Sequence, residues 1–189
     1  MADSDPTTKG AILRSLLKFV EKDLSEAQRA EALAALPADD QQLLGRGRIL
    51  ASDKISEFVL NRLTVAAANA RGESLDAFGR RAGRAELADA VGVYRFLTVL
   101  LTPKALLHKA SALWSTVHSH GRMVIENETS NSATVRLIDF PSEPAHCARL
   151  NGWFEGAGEM TGAKEIAVTH PICMTRGGDE CQWQLSWGK

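Results

Sequence analysis

The sequence predicts an α+β fold: a helical N-terminal half followed by a small, mostly antiparallel sheet packed by helices. Three observations carry this. Apolar residues recur at three- and four-residue intervals from Lys9 to about Gly121, the spacing of helices with one buried face. From Arg122 the period changes to two, over "RMVIENE" and "ATVRLIDF", and again over "KEIAVTH" and "ECQWQLSW", as in strands with one buried face. One helical stretch, Pro144 to about Met160, separates the two strand pairs. The C-terminal half therefore reads β-β-α-β-β.

Each element has its own signal. "KGAILRSLLKFVEK" places Ile12, Leu16 and Phe19 on one face, with Leu13, Leu17 and Val20 beside them. Ser25 and Gln28 have capping-box spacing at the start of the next helix, and Leu36-Pro37 stops it. A short turn over 39–44 leads to Gly45-Arg46-Gly47, a flexible joint. The expected division is a helical extension over 1–48 and the main α+β domain over 49–189. A long helix is expected at about Ser52 to Ala70, with Ile55, Phe58, Val59, Leu63 and Ala66 as its stripe. Gly72 separates it from one in which Leu75, Phe78, Ala82 and Ala85 line up. Thr102-Pro103 is an N-cap and N1 pair; Leu106, Ala110, Leu113 and Val117 follow on one face, and Gly121 is expected at C′. "TSNS" is the turn between the first two strands. In the helix over 144–160 the apolar face holds Cys147, Leu150, Phe154 and Ala157; in the last strand Cys181, Trp183, Leu185 and Trp187 point inward.

Composition narrows the function. The 189 residues are 44% hydrophobic and 24% charged, with a formal net charge of -1, so no overall field favours nucleic acid or an acidic membrane. "GRRAGR", over 79–84, is a local basic cluster, expected to be a solvated helix face. The polar N-terminus has no apolar signal-peptide core, and the longest apolar run, "VGVYRFLTVLL", is interrupted by Arg95, short of a membrane span. The expectation is a reducing cytoplasm, where thiols are free, catalytic or metal-bound. No phosphate loop and no nucleophile–base set stands out, so a non-enzyme is expected.

The chemistry-bearing stretch is "THPICMTRGGDECQWQLSW". His170 ends one strand, Cys181 begins the next, Cys173 lies between them, and Cys147 sits on the buried face of the preceding helix. If that helix packs on the sheet, all four converge. Three thiolates and an imidazole suit tetrahedral zinc, and a closed four-ligand site is structural. Gly177-Gly178 allows the backbone to reverse. Spacing alone leaves two alternatives open: three cysteines buried as small apolar residues, and a disulfide between Cys173 and Cys181.

The segment Gly152 to Trp187 resembles the C-terminal part of the 4-vinyl reductase-type domain. That domain is found in a protein of bacteriochlorophyll synthesis and in the sensor modules of aromatic-responsive, sigma-54-dependent activators. The likeness lies in a Gly-Trp helix, a strand, a cysteine, a Gly-Asp-type turn and a final cysteine before an aromatic strand. It implies zinc held by Cys147, His170, Cys173 and Cys181, with His170 standing where the phenol-sensing members carry glutamate. The whole chain is also similar to a family of stand-alone myxobacterial proteins, through the "KG" opening, "LP" and "GRILAS" over residues 9 to 52. The superfamily shares its fold with haem-based nitric-oxide sensors and with vesicle-tethering subunits. The resemblance thus implies a ligand between helices and sheet, a protein partner and a homodimer.

Trp114 and Trp153 are expected to line such a pocket, with Tyr94, Phe96 and Leu100, whereas Trp183 and Trp187 read as core. The phenol-binding residues of the aromatic sensors do not map here. His118 and His120 are expected to complement a helix dipole. His108 would serve a haem only in an apolar pocket, and His146 is the second choice for the place of His170. The expected function is a cytoplasmic zinc-containing sensor or ligand-binding protein that holds a small apolar molecule and signals through protein contacts. The alternative is a non-catalytic adaptor acting by dimerisation and docking; an enzyme of tetrapyrrole reduction finds no cofactor motif.

Overall fold

The computed structural model describes residues 5–92 and 101–188. The chain opens with a short strand, β1 (Thr7–Lys9), paired antiparallel with β2 (Lys54–Ser56). Between them run α1 (Gly10–Asp23), α2 (Glu26–Ala34) and α3 (Ala38–Gly45). The helices α4 (Glu57–Arg71), α5 (Leu75–Val91) and α6 (Pro103–Val117) follow. The C-terminal half is β3 (Arg122–Glu126), β4 (Ser132–Ile138), α7 (Pro144–Met160), β5 (Lys164–Ile172), a 3-10 turn at Met174–Arg176, and β6 (Cys181–Gly188). Its four strands form one antiparallel sheet in the order β3-β4-β6-β5. This is the α+β architecture the period change predicts. Among the described residues no helix is long and apolar enough to cross a membrane.

Local signals place the elements. The Ser25 side chain accepts from the Gln28 N–H while the Gln28 side chain accepts from the Ser25 N–H, a complete capping box. Thr102 Oγ1 accepts from the Ala105 N–H at 3.2 Å, and Gly72 closes α4 in the left-handed region at φ 71°. The turn expected over 39–44 is the helix α3 instead, and two helix boundaries differ from the sequence reading because of the N-terminal strand. The helix expected from Ser52 begins at Glu57, since residues 54–56 are drawn into pairing with β1 and Ser56 caps the helix instead. The helix α6 stops at Val117, short of Gly121. His118 is extended (φ -112°) because it pairs with Thr8, and the Ser119 N–H donates to the Thr7 carbonyl at 2.9 Å. Gly121, at φ 70°, enters β3 against Phe140, whose Cβ lies 2.6 Å from where a Cβ on Gly121 would stand.

Two apolar clusters form the core. In the first, Leu13 and Leu16 of α1 and Ala32 of α2 share one interior with Leu60, Leu63, Phe78 and Ala82 of α4 and α5. The second lies under the sheet, where Val135, Leu137 and Trp183 are fully buried against Phe154 of α7 and Leu107 and Trp114 of α6.

Helix α7 runs between these clusters, and eleven of its 17 residues are buried. The sequence shows only the face that meets the sheet. The other face is small: Ala148 fits against Gly79 of α5, Gly152 against the backbone of Arg80, and Gly156 against Arg84 and Leu87. A Cβ on Gly83 would stand 1.8 Å from the Arg149 carbonyl oxygen, and one on Gly152 would stand 1.9 Å from that of Arg80. This corrects the reading of "GRRAGR" as a solvated face. Its glycines are the helix contact, and its arginines pair with acids: Arg80 with Asp76 and Glu155, Arg81 with Asp23 and Glu73, Arg84 with Glu155 and Glu159.

Because the backbones touch, Gly83→Ala or Gly152→Ala must push the two helices apart. Each is expected to lower stability by about 1–3 kcal/mol or more, seen as a fall in the thermal midpoint of roughly 2–4 °C per kcal/mol. Gly45→Ala is the control: nothing lies within 4 Å of its added Cβ, so its midpoint should hold or rise.

Candidate functional site

Four side chains from three elements meet where β6 begins. Pro144 starts α7 at its first turn, which turns Cys147 toward the sheet. Cys181 opens β6 on its buried face. The pairing of β5 with β6 slips between Thr169 and Ile172, an irregularity of the kind that re-aims side chains. His170 stands in that slip and Cys173 follows it as the N-cap of the 3-10 turn. The turn is tight: the Arg176 and Gly178 N–H groups both donate to the Cys173 carbonyl at 2.9 Å, and Gly177 has φ 88°. A Cβ on Gly178 would stand 2.8 Å from Ile172 Cγ2, so Gly178 is a steric need and Gly177, by its positive φ, a conformational one.

The sulfur spacing matches that of a tetrahedral centre. The sulfurs of Cys147, Cys173 and Cys181 lie 3.8, 3.8 and 3.9 Å apart; zinc–sulfur bonds of about 2.3 Å at tetrahedral angles give edges of about 3.8 Å. All four potential ligand atoms, including one nitrogen of His170, lie within 4.8 Å of one another. The His170 ring lies flat on Trp183, centroids 4.1 Å apart, and its Nε2 is buried with no hydrogen-bond partner. A buried imidazole nitrogen left unmet beside three sulfurs is available as a fourth ligand atom. The three cysteines are free and buried. A hydrogen bond from Cys147 draws the Cys181 thiol down against the effect of burial, helped by His170, Ser142 and the Met174 N–H. The same partnership, with burial, pushes Cys147 up. One thiolate thus suppresses the next, and only a cation among them lets several ionise together. Thr175 Oγ1 lies 3.0 Å from the Cys173 sulfur.

A second feature lies on the other side of α7. A chamber of about 210 Å³ opens between the N-terminal helices and the C-terminal half. Its apolar walls include Ile12, Leu113, Trp114, Met123, Leu150 and Trp153. Its polar end is Glu57, Glu86, His118, His146 and Arg149. Arg149, 4% exposed, donates to Glu86 Oε1 at 3.0 Å and lies 3.6 Å from Glu57 Oε2. His118 Nδ1 is 2.8 Å from Glu57 Oε1, and its ring stacks on Trp114 with centroids 4.0 Å apart. Burial pushes the Glu57 carboxyl up, but the His118 hydrogen bond and the surrounding cationic groups outweigh it and hold it low. Burial raises Glu86 against the pull of Arg149. Burial also drives His146 down to about 3, which leaves its ring neutral at pH 7.

Of the residues expected in a pocket, Trp114 and Trp153 line this chamber; Tyr94, Phe96 and Leu100 lie outside the described residues. His146 belongs to the chamber and not to the sulfur cluster. His118 is a correction: it is tied to a buried carboxylate, not left to a helix dipole. His108 is exposed and bonded to Glu128 at 2.9 Å. Glu57, Glu86 and Arg149 were missed. Their only sequence signal is a charged residue beside an apolar run, which does not say that a distant partner meets it.

No protein-family model matches the chain, and no curated protein matches it. Solved structures do. A crystal structure of an H-NOX protein from S. oneidensis in the Fe(II)NO ligation state is similar at a TM-score of 0.71 and 17% identity, covering 96% of this chain and 99% of that one. An unliganded Fe(II) H-NOX protein from K. algicida is similar at 0.71 and 15%, covering 96% and 97%. An oxygen-binding H-NOX domain related to soluble guanylate cyclases gives 0.66 and 12%, covering 96% and 95%. At these identities the likeness is one of fold, and the fold is that of the H-NOX proteins over nearly the whole chain.

Proposed function

We propose that this chain is a zinc-containing sensor or ligand-binding protein without catalytic activity. It holds a small apolar molecule in the chamber between its helices and its sheet and reports occupancy to a protein partner by surface contact. The observation that carries this is the chamber itself, walled by Trp114 and Trp153 at the junction of the two halves. Mostly apolar concave sites with a few convergent polar groups are where ligands bind. Ligand binding as such is supported by the fold, since the similar structures include proteins described as Fe(II)NO and oxygen complexes. A homodimer belongs to the same proposal.

The metal half of the proposal is structural zinc on Cys147, His170, Cys173 and Cys181. The near-equal sulfur edges and the unmet His170 nitrogen support it. Four protein ligands leave no open position, so zinc would pin α7 to the start of β6 and the end of β5 and take no part in a reaction.

Haem, which the fold's nitric-oxide sensors suggest, does not fit the described residues. The chamber of about 210 Å³ is smaller than the roughly 300–1,000 Å³ that hold drug-sized ligands, and a porphyrin is no smaller than those. Its one arginine is already held between Glu57 and Glu86, so propionates would find no free cation. Its histidines are fixed by other contacts, His118 on Glu57 and Trp114, His146 on Phe140.

Protein purified without added metal should carry about one zinc per chain by elemental analysis, and Cys147→Ser should lose both the zinc and a cooperative thermal transition. Structural zinc contributes on the order of 10 kcal/mol in small domains, so the loss should be large. Less than half an equivalent, with Cys147→Ser folding normally, contradicts the zinc. Native mass spectrometry tests the chamber: a retained small molecule supports the sensor, and an empty protein with a fixed protein partner favours the adaptor. Light scattering should return twice the 20.5 kDa chain mass.

A further inference from the structure

The helix α1 carries two surfaces. Ile12 lines the chamber, whereas Arg14, Leu17, Lys18 and Glu21 follow one another at helical spacing along a different face. That second face forms one side of a groove of about 540 Å³, and Leu44, Arg48, Ile49 and Leu50 form the other. The groove is preformed. The Gly10 N–H donates to the Asp53 carbonyl at 2.7 Å, the Ala11 N–H to the Ala51 carbonyl at 3.1 Å, and the Leu50 N–H to Asp53 Oδ2 at 2.8 Å. A Cβ on Gly10 would stand 2.2 Å from the Leu50 carbonyl oxygen, so the start of α1 and the loop beside it are in backbone contact.

Folding alone accounts for neither the apolar floor of this groove nor its charge. Leu50 is 45% exposed, and Leu17, Leu44 and Ile49 are half-buried. Among the charged residues, Lys18 is bonded to Asp89, and Glu21 pairs with Arg29 at 3.9 Å. Arg14 and Arg48 are exposed, and no acid among the described residues is in ion-pair range of either. Asp89, which Arg14 favours from farther off, is already held by Lys18 and by Ser15. The groove therefore sets three cations against one acid, in a chain whose net charge is -1. Apolar surface rimmed by polar groups marks an interaction site, and an unmatched local charge selects a partner of opposite sign.

The shape decides what kind of partner. An anionic bilayer is recognised by clusters of about 4–8 Lys and Arg and by apolar groups that protrude into it. Here there are three cations, and three of the four apolar side chains are half-buried between two walls. A polypeptide segment fits such a place, with its apolar side chains in the groove and its carboxylates on the rim. Guanidinium groups take carboxylates in a two-pronged hydrogen bond.

We infer that the groove between α1 and Leu44–Leu50 is a docking site for an acidic segment of a partner protein, whose apolar side chains meet Leu17 and Ile49 and whose carboxylates meet Arg14 and Arg48. This rests on the reading of the chain as a protein that reports by surface contact. It adds the place of that contact and the chemistry of the partner.

Random peptides displayed on phage and selected on the full chain test it, with the enriched peptides then synthesised and measured by fluorescence anisotropy. They should carry net negative charge and at least one large apolar residue. Their affinity should fall at least tenfold in the Arg14→Glu/Arg48→Glu double variant, and several-fold between 0.1 and 0.5 M salt, as screening of exposed charge requires. Should the double variant fail to fold, methyl spectra of the unaltered chain decide: Leu17, Leu44, Ile49 and Leu50 should move with the peptide while Leu185 holds. No enrichment, peptides without acidic bias, binding that survives the charge reversal, or methyl shifts elsewhere overturns the inference. Vesicles of phosphatidylglycerol bound more tightly than any selected peptide, and lost in the same variant, assign the groove to a membrane and overturn it too. The chamber is judged separately: a solid chamber beside a groove that takes acidic peptides sinks the ligand reading alone, and a filled chamber beside a groove that takes none sinks this inference alone.

Discussion

The structure depends on the contact between α5 and α7, where Gly83 and Gly152 let two backbones approach to a distance that no side chain permits. That contact puts α7 inside the molecule. A helix in that position has almost no solvent face, so neighbouring residues along it must satisfy different neighbours. His146 and Arg149 face the chamber, Cys147 faces the sulfur cluster, Ala148 faces α5, and Asn151 accepts from the Trp183 indole N–H at 2.7 Å. One helix therefore serves the cysteine–histidine cluster and the chamber from opposite faces, within a single turn. A shift of α7 would be felt in both.

The buried charges follow from the same placement. Arg149 is taken into the interior with the helix, and a lone buried guanidinium is untenable; it is balanced by Glu57 and Glu86 from α4 and α5. Such clusters are weak contributors to stability, but breaking one partner out of them costs several kcal/mol because the rest is left uncompensated. Their value here is positional. Glu57 also holds His118, whose backbone pairs with Thr8 of β1, and the Glu57 N–H donates to the Pro6 carbonyl. The wall of the chamber is thereby connected to the N-terminal strand at the surface.

Much of this was legible in the sequence, and the reasons for the rest are physical. The period change at Arg122 and the clean alternation from Cys181 to Trp187 survive because one face of each strand is buried and the other is not. The convergence of Cys147, His170, Cys173 and Cys181 was readable because Cys147, His170 and Cys181 sit on faces with a defined direction and Cys173 lies in the connection between two of them; the structure brings their ligand atoms within 4.8 Å. The second face of α7 was not readable: Ala148, Gly152 and Gly156 carry no hydrophobic signal, and only the close approach of α5 gives them meaning. Likewise "GRRAGR" looked like surface because its arginines hide the two glycines that matter. β1 and β2 are three residues each, too short for alternation to show, and Glu57, Glu86 and Arg149 are distant in sequence and join only in the fold.

The central claim is that a real apolar space lies between the helices and the sheet. A crystal held under xenon pressure tests this most directly, since dry apolar cavities take up xenon. The account predicts xenon density in the chamber between Trp114 and Trp153, near His146. Side chains packed solidly through that volume, with no xenon bound there, would contradict it.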